Sequence, residues 1–127
     1  MEDCGLFICK SLPFTGASPD RLFTCSCHGK WTVEIKCLFS ISHLSPTHKQ
    51  AKLHYIKDNK LKLSDQYYTQ CQLQMGVLNV EKCLFFVYTA HGHLLIELYF
   101  DKEFYANLLR LCNIFYRDYY IKSIFKI

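Results

Sequence analysis

Glu34 and Lys36 stand two residues apart in a run, Trp31 to Phe39, that is rich in β-branched and aromatic side chains and reads as a strand. Side chains two apart on a strand point to one face, so this carboxylate and ammonium are neighbours, while Val33, Ile35 and Cys37 point to the other face. Apolar neighbours on that other face predict that the charged pair lies at an edge or a cleft. Upstream, Ser18 to Thr24 reads as extended and Cys25 to Lys30 as a turn, with Gly29 as its flexible residue. Closing this hairpin about Cys27 and His28 sets Asp20 opposite the region of Glu34 to Lys36. Two carboxylates held close repel unless a cation neutralises them. Mg²⁺, with its preference for oxygen ligands and water, suits such a pair. A cation there would activate water and stabilise charge on a phosphate, and Lys36 would position the water or neutralise developing charge. From spacing alone, however, an ion pair between Lys36 and Asp20 or Glu34 is the simpler reading.

Other reactive residues carry less. Cys25, Cys27 and His28, with Cys37, have zinc-ligand chemistry, but no second matching ligand pair follows them. His43, His48, His54, His91 and His93 stand in no motif, and His91-Gly-His93 reads as a turn. No Cys, His and Asn or Asp set suggests a thiol nucleophile, and no glycine-rich loop would cradle phosphate. Between Ser42 and Ser64 lie Lys49, Lys52, Lys57, Lys60 and Lys62 against Asp58, an excess of four that equals the +4 of the whole chain. Such a segment suits a polyanion; on charge alone a solvated loop is the favoured reading.

The elements that must hold these residues follow from the remaining pattern. At 127 residues, half hydrophobic and one fifth charged, the chain fits a single packed domain. Residues 42–64 read as loop with some helix. Asp65 or Ser64 caps a helix reaching about Leu78, with Tyr68, Cys71, Met75 and Leu78 at helical spacing. Lys82 to Ala90 reads as a strand buried on both faces, His91-Gly92 as a turn and Leu94 to Phe100 as its partner strand. Asp101 caps a closing helix whose Phe104, Leu108, Leu111, Phe115 and Tyr119 form one apolar stripe. The order strand, strand, helix, strand, strand, helix predicts an α/β architecture with a small mixed sheet flanked by helices. No apolar run approaches the ~20 residues of a membrane span. The eight cysteines have no framework spacing and read as reduced, which predicts an intracellular setting without deciding between nucleus and cytoplasm.

Thr15-Gly-Ala-Ser-Pro-Asp20 followed by Val33-Glu-Ile-Lys-Cys37 resembles the YqaJ-type viral recombinase family, which includes phage λ exonuclease and belongs to the PD-(D/E)xK nucleases. The resemblance continues at Tyr67-Tyr-Thr-Gln-Cys-Gln-Leu-Gln-Met75, like the family's Tyr-rich Gln-x-Gln helix, and at Cys83-Leu-Phe-Phe-Val-Tyr-Thr89, like its following apolar strand. It covers the chain from about Pro13 to the closing helix. It implies a restriction-endonuclease-like core and a metal-dependent deoxyribonuclease, an exonuclease hydrolysing phosphodiester bonds at linear duplex DNA ends with Mg²⁺, or Mn²⁺ in its place. Asp20 and Glu34 would bind the metal together with the Ile35 carbonyl, Lys36 would be the catalytic lysine, and Gln70 would orient that lysine or the water. Gln72 and Gln74 stay closer to ordinary polar residues of a helix. The resemblance also places the basic segment beside the metal, which makes Lys49, Lys52 and Lys57 the first candidates for phosphate contact.

Departures from the family pattern set further expectations. Arg21 stands where the family usually has Gly, and Leu38 where it usually has Pro; Arg21 could alter the backbone after the metal ligand. Family members carry an N-terminal helical region with another acidic site residue, whereas here about a dozen residues precede the motif and Glu2 and Asp3 match no motif. The expectation is an N-terminally truncated core, with residues 1–12 as a remnant. Apolar surface so exposed would favour self-association or a partner. The alternative function is an inactive remnant of the fold that binds DNA or protein.

Overall fold

A computed structural model describes residues 1–126. Its centre is a five-stranded sheet in the order β1-β4-β5-β8-β9, built from β1 (Glu2–Asp3), β4 (Arg21–Cys25), β5 (Gly29–Cys37), β8 (Lys82–Thr89) and β9 (Gly92–Tyr99). Two minor hairpins accompany it: β2 (Phe7–Ile8) with β3 (Gly16–Ala17), and β6 (Ile56–Lys57) with β7 (Lys60–Leu61). β5 and β8 pair in parallel, and every other neighbouring pair is antiparallel. The sheet is therefore mixed and lies with helices in the predicted order.

Helix α1 (Gln66–Leu78) starts where the sequence places a cap: Asp65 Oδ1 accepts from Tyr67 N at 2.9 Å. Asn79, in the left-handed conformation, ends it. Tyr68, Cys71 and Met75 are buried against Cys83, Phe85 and Val87 of β8 and Ile96 and Leu98 of β9, whereas Leu78 is half-buried. Gly76 faces helix α2 (Lys102–Phe115); a β-carbon there would lie 2.2 Å from the Tyr105 ring, so the glycine sets how closely the two helices pack. Gln72 fastens the same region, donating to the Tyr99 carbonyl at 3.0 Å and accepting from Asp101 N at 2.8 Å. Asp101 in turn caps α2 through Phe104 N at 3.0 Å. A π-helical turn (Tyr116–Tyr120) and helix α3 (Ile121–Phe125) follow, and Tyr116 stacks on Phe14 at 4.4 Å.

Four expectations change. Residues 42–64 hold turns and the β6–β7 hairpin but no helix; Ala51, Tyr55 and Leu61 pin them to the core instead. β8 buries one face, while Leu84 and Phe86 on the other are half-buried and Tyr88 is exposed, because among the described residues no helix layer covers that side. The apolar stripe of the closing helix is not buried: Phe104 and Leu108 are half-buried, while Leu111, Phe115 and Tyr119 are exposed. Finally, the face of β5 carrying Glu34 is no open edge, since α1 covers it and leaves Glu34 3 % exposed. No helix of the described residues is long and apolar enough to cross a membrane.

Candidate active site

The β4–β5 pairing sets Arg21 opposite Val33, so the residue before it, Asp20, meets Glu34 on the face beneath α1. Asp20 Oδ2 accepts from Ile35 N at 2.7 Å, which fixes this carboxylate against β5. Backbone N–H and C=O of one residue point to the same side of a strand. The Ile35 carbonyl thus shares the Asp20 edge. Continuing the pairing by two residues sets Ile35 opposite Pro19, which has no N–H to donate. The edge therefore offers a carboxylate and a backbone carbonyl that the ladder does not consume.

Glu34 lies at the centre. Its Oε1 accepts from Lys36 Nζ at 2.7 Å and from Gln70 Nε2 at 2.9 Å, and its Oε2 from Gln74 Nε2 at 2.9 Å. A buried carboxylate is costly unless donors replace its water, and three here do so. The ion pair runs along β5 between Lys36 and Glu34; no ion pair links Lys36 to Asp20 among the described residues. Lys36 Nζ also lies over the Tyr67 ring, 4.5 Å from its centroid. Gln70 thus meets the lysine's carboxylate partner rather than the lysine itself.

Gln74 is the residue that sequence reasoning passed over. It is 2 % exposed, and its Oε1 is buried without a donor. The amide cannot turn round to improve this, because Glu34 accepts and does not donate. A signal was present: Gln70 and Gln74 are four apart on α1 and so share a helix face. Tyr67 was likewise unassigned. Arg21, by contrast, causes no distortion: it has no positive φ, and it pairs with Asp3 at 3.0 Å.

Lys49, Lys52 and Lys57 are all exposed, and none is paired with an acid among the described residues. Their segment reaches the site through Tyr55, whose ring packs edge-on against Tyr67 at 4.9 Å. Among the described residues, the group of three or more His, Cys, Asp or Glu with converging ligand atoms is a different one: Cys25, Cys27 and His28, at the tip of the β4–β5 hairpin. All eight cysteines are free thiols. The Cys25 thiol is drawn down to about 6 by hydrogen bonds from Cys27 and then His28.

A family model described as the YqaJ-like viral recombinase domain matches residues 2–81, from β1 to the start of β8. The chain belongs to the YqaJ-like viral recombinase family. The match spans Asp20, Glu34, Lys36, Gln70 and Gln74, and it ends before the apolar strand that also suggested the resemblance. That strand enters through structure: the crystal structure of LHK-Exo in complex with dAMP superposes with a TM-score of 0.61 at 23 % identity, covering 94 % of this chain. At that identity the likeness establishes the fold, a YqaJ-type mixed α/β core. This chain spans 58 % of the LHK-Exo chain. Among curated proteins, no match was found.

Proposed function

We propose that this YqaJ-family chain is a divalent-metal-dependent nuclease acting on DNA, of exonuclease type, with Asp20, Glu34, Lys36 and Gln70 at its centre. The observation that carries the reading is Glu34, a carboxylate buried beneath α1 yet held by three donors, beside Asp20 on the adjoining strand end. The donor set suits a hard cation: two carboxylates and the Ile35 carbonyl are the oxygen ligands that Mg²⁺ takes, with water completing the shell. The orphaned Gln74 oxygen points the same way, since it needs a donor and a bound water supplies one. A divalent cation there would supply Lewis acidity toward a phosphate oxygen and lower the pKa of bound water.

The side chains have separate tasks. Lys36 keeps its ammonium against Glu34 Oε1, from which it can donate a hydrogen bond that positions an attacking water or neutralises developing charge on the phosphate. The Tyr67 ring beneath it holds the ammonium in that position. Gln70 and Gln74 fix the two Glu34 oxygens, so the carboxylate stays turned toward the site. Lys49, Lys52 and Lys57 supply phosphate contacts without base preference. LHK-Exo holds dAMP, and a deoxynucleoside monophosphate is the product class proposed here. The exposed ridge of Leu111, Phe115 and Tyr119 belongs to the same reading as a surface for a second copy or a partner.

The test is digestion of end-labelled linear duplex by the purified chain with Mg²⁺, beside Asp20→Asn, Glu34→Gln and Lys36→Ala. Wild type should release mononucleotides, EDTA should stop it, and each variant should be slower by about 10²–10⁴-fold. No digestion by the wild type in Mg²⁺ or Mn²⁺ would reject the enzyme. Equal digestion by all four proteins would reject the site.

A further inference from the structure

The hairpin tip carries ligand chemistry that the nuclease reading does not use. Cys25 ends β4, Gly29 begins β5, and the turn between them holds Cys27 and His28. Gly29 has φ +77°, a conformation that favours glycine and that lets the chain reverse directly after His28. The result is convergence: Cys25 Sγ and Cys27 Sγ are 2.7 Å apart, His28 Nδ1 is 2.9 Å from Cys27 Sγ and 3.5 Å from Cys25 Sγ. The backbone behind them is anchored. Trp31 Nε1 donates to the His28 carbonyl at 3.2 Å, and the Trp31 ring is itself covered by the Lys82 ammonium at 4.7 Å.

We propose that this tip is a second cation site, for a thiophilic ion with Zn²⁺ foremost, bound through Cys25 Sγ, Cys27 Sγ and His28 Nδ1 with a fourth position open to solvent. Two sulfurs and an imidazole are soft donors, which select Zn²⁺ or Cu⁺ over Mg²⁺. Tetrahedral zinc, with Zn–S of ~2.3 Å and Zn–N of ~2.0 Å, separates its ligand atoms by roughly 3.5–3.8 Å. The three atoms already lie within 4.8 Å of one another. Seating the ion requires them to part by about 1 Å or less relative to that spacing, and the exposed turn can open that far. Charge balances: both thiols release their protons to water, the two thiolates neutralise the dication, and His28 gives the Nδ1 lone pair while Nε2 keeps its proton. Six residue steps along β5, or ~20 Å of extended chain, separate His28 from Glu34. The two sites are therefore distinct, one hard and one soft, at opposite ends of a single hairpin. The tip has the three protein ligands and open position of a zinc site able to accept another group. His28 also borders a cavity of about 390 Å³ with Lys30, Asn79 and Glu81, from which such a group could come.

The test uses Co²⁺ as a spectroscopic substitute for Zn²⁺, added to the full chain in a non-thiol reductant. One Co²⁺ per chain should bind with a thiolate-to-cobalt charge-transfer band, and Zn²⁺ should abolish the band by displacement. Cys25→Ser and Cys27→Ser should each lose it, and His28→Ala should weaken binding by at least about tenfold. Cys37→Ser and Asp20→Asn should keep it. Absence of the band in wild type, its survival in the Cys25→Ser/Cys27→Ser double variant, or its loss in Cys37→Ser would each overturn the site. Alkylation of the wild type probes the same three ligands without any variant. Zn²⁺ should protect Cys25 and Cys27 from iodoacetamide but leave Cys37 reactive, and equal labelling with and without Zn²⁺ would reject the proposal. A Cys25–Cys27 disulfide found in place of bound metal under these reducing conditions would reject it too.

Discussion

At the scale of single residues, the Gln74 amide is held in one orientation by Glu34, and its oxygen is left without a donor. A buried acceptor in that condition costs about 1–3 kcal/mol. The arrangement is intelligible if the amide serves the carboxylate rather than the fold. Gln74→Leu removes the orphaned oxygen and the hydrogen bond to Glu34 together. Stability should then change little or rise, while half-saturation by Mg²⁺ should rise about 10–100-fold, as for other residues that orient a metal ligand. Parallel thermal unfolding and Mg²⁺ titration of activity would check both halves. A large fall in stability with unchanged Mg²⁺ dependence would make Gln74 a packing residue.

Among the elements, α1 supports site and core at once, and this explains what the sequence could and could not say. Caps, turns and strands were legible because each rests on a local rule: Asp65 and Asp101 cap, Gly29 turns, and β-branched or aromatic runs form β5, β8 and β9. The meeting of Asp20 with Glu34 was legible from hairpin closure alone. Gln74 was not, because Gln70 and Gln74 interrupt the apolar period of α1 and look like a solvent face. They are polar because part of what the helix covers is a carboxylate, whereas Gln72, on another face, ties Tyr99 O and Asp101 N. The exposure of α2 was illegible for a related reason, since periodicity marks an apolar stripe but not whether anything packs on it. Gly76→Ala tests the α1–α2 contact. Overpacking against Tyr105 should cost about 1–3 kcal/mol, offset by about 1 kcal/mol from alanine's helix preference. A fall of a few degrees in Tm is expected, and no change would mean the helices separate freely. The turns of residues 42–64 carry their own prediction. Replacing Lys49, Lys52 and Lys57 by Gln should weaken duplex binding alike on all sequences. It should also reduce the salt-dependence slope by up to about 2.7, as measured by titration at several ionic strengths. An unchanged slope would remove these lysines from the DNA path.

For the whole molecule, the two sides differ. Helix α1 closes one face of the sheet, whereas Tyr88, Leu95 and Tyr99 on the other remain exposed; on the α1 side, Leu111, Phe115 and Tyr119 of the closing helical segment are exposed as well. A groove of about 950 Å³ runs between Phe14, Leu73, Leu111 and Tyr116. Surface of this kind associates. Sedimentation should show concentration-dependent association that Phe115→Glu with Tyr119→Glu reduces, and a monomer at all concentrations would contradict it.

The parallel pairing of β5 with β8 has one more consequence. Glu34 lies beside Phe85, and its donors Gln70 and Gln74 follow it by 36 and 40 residues along the chain. Contacts so distant in sequence must close a long loop before they return any stabilisation. The β4–β5 hairpin, whose ends are near in sequence, can form first. During folding the hairpin tip would thus assemble early, while the carboxylate centre waits for α1 to dock and β8 to pair, and the Glu34 end of the hairpin matures last.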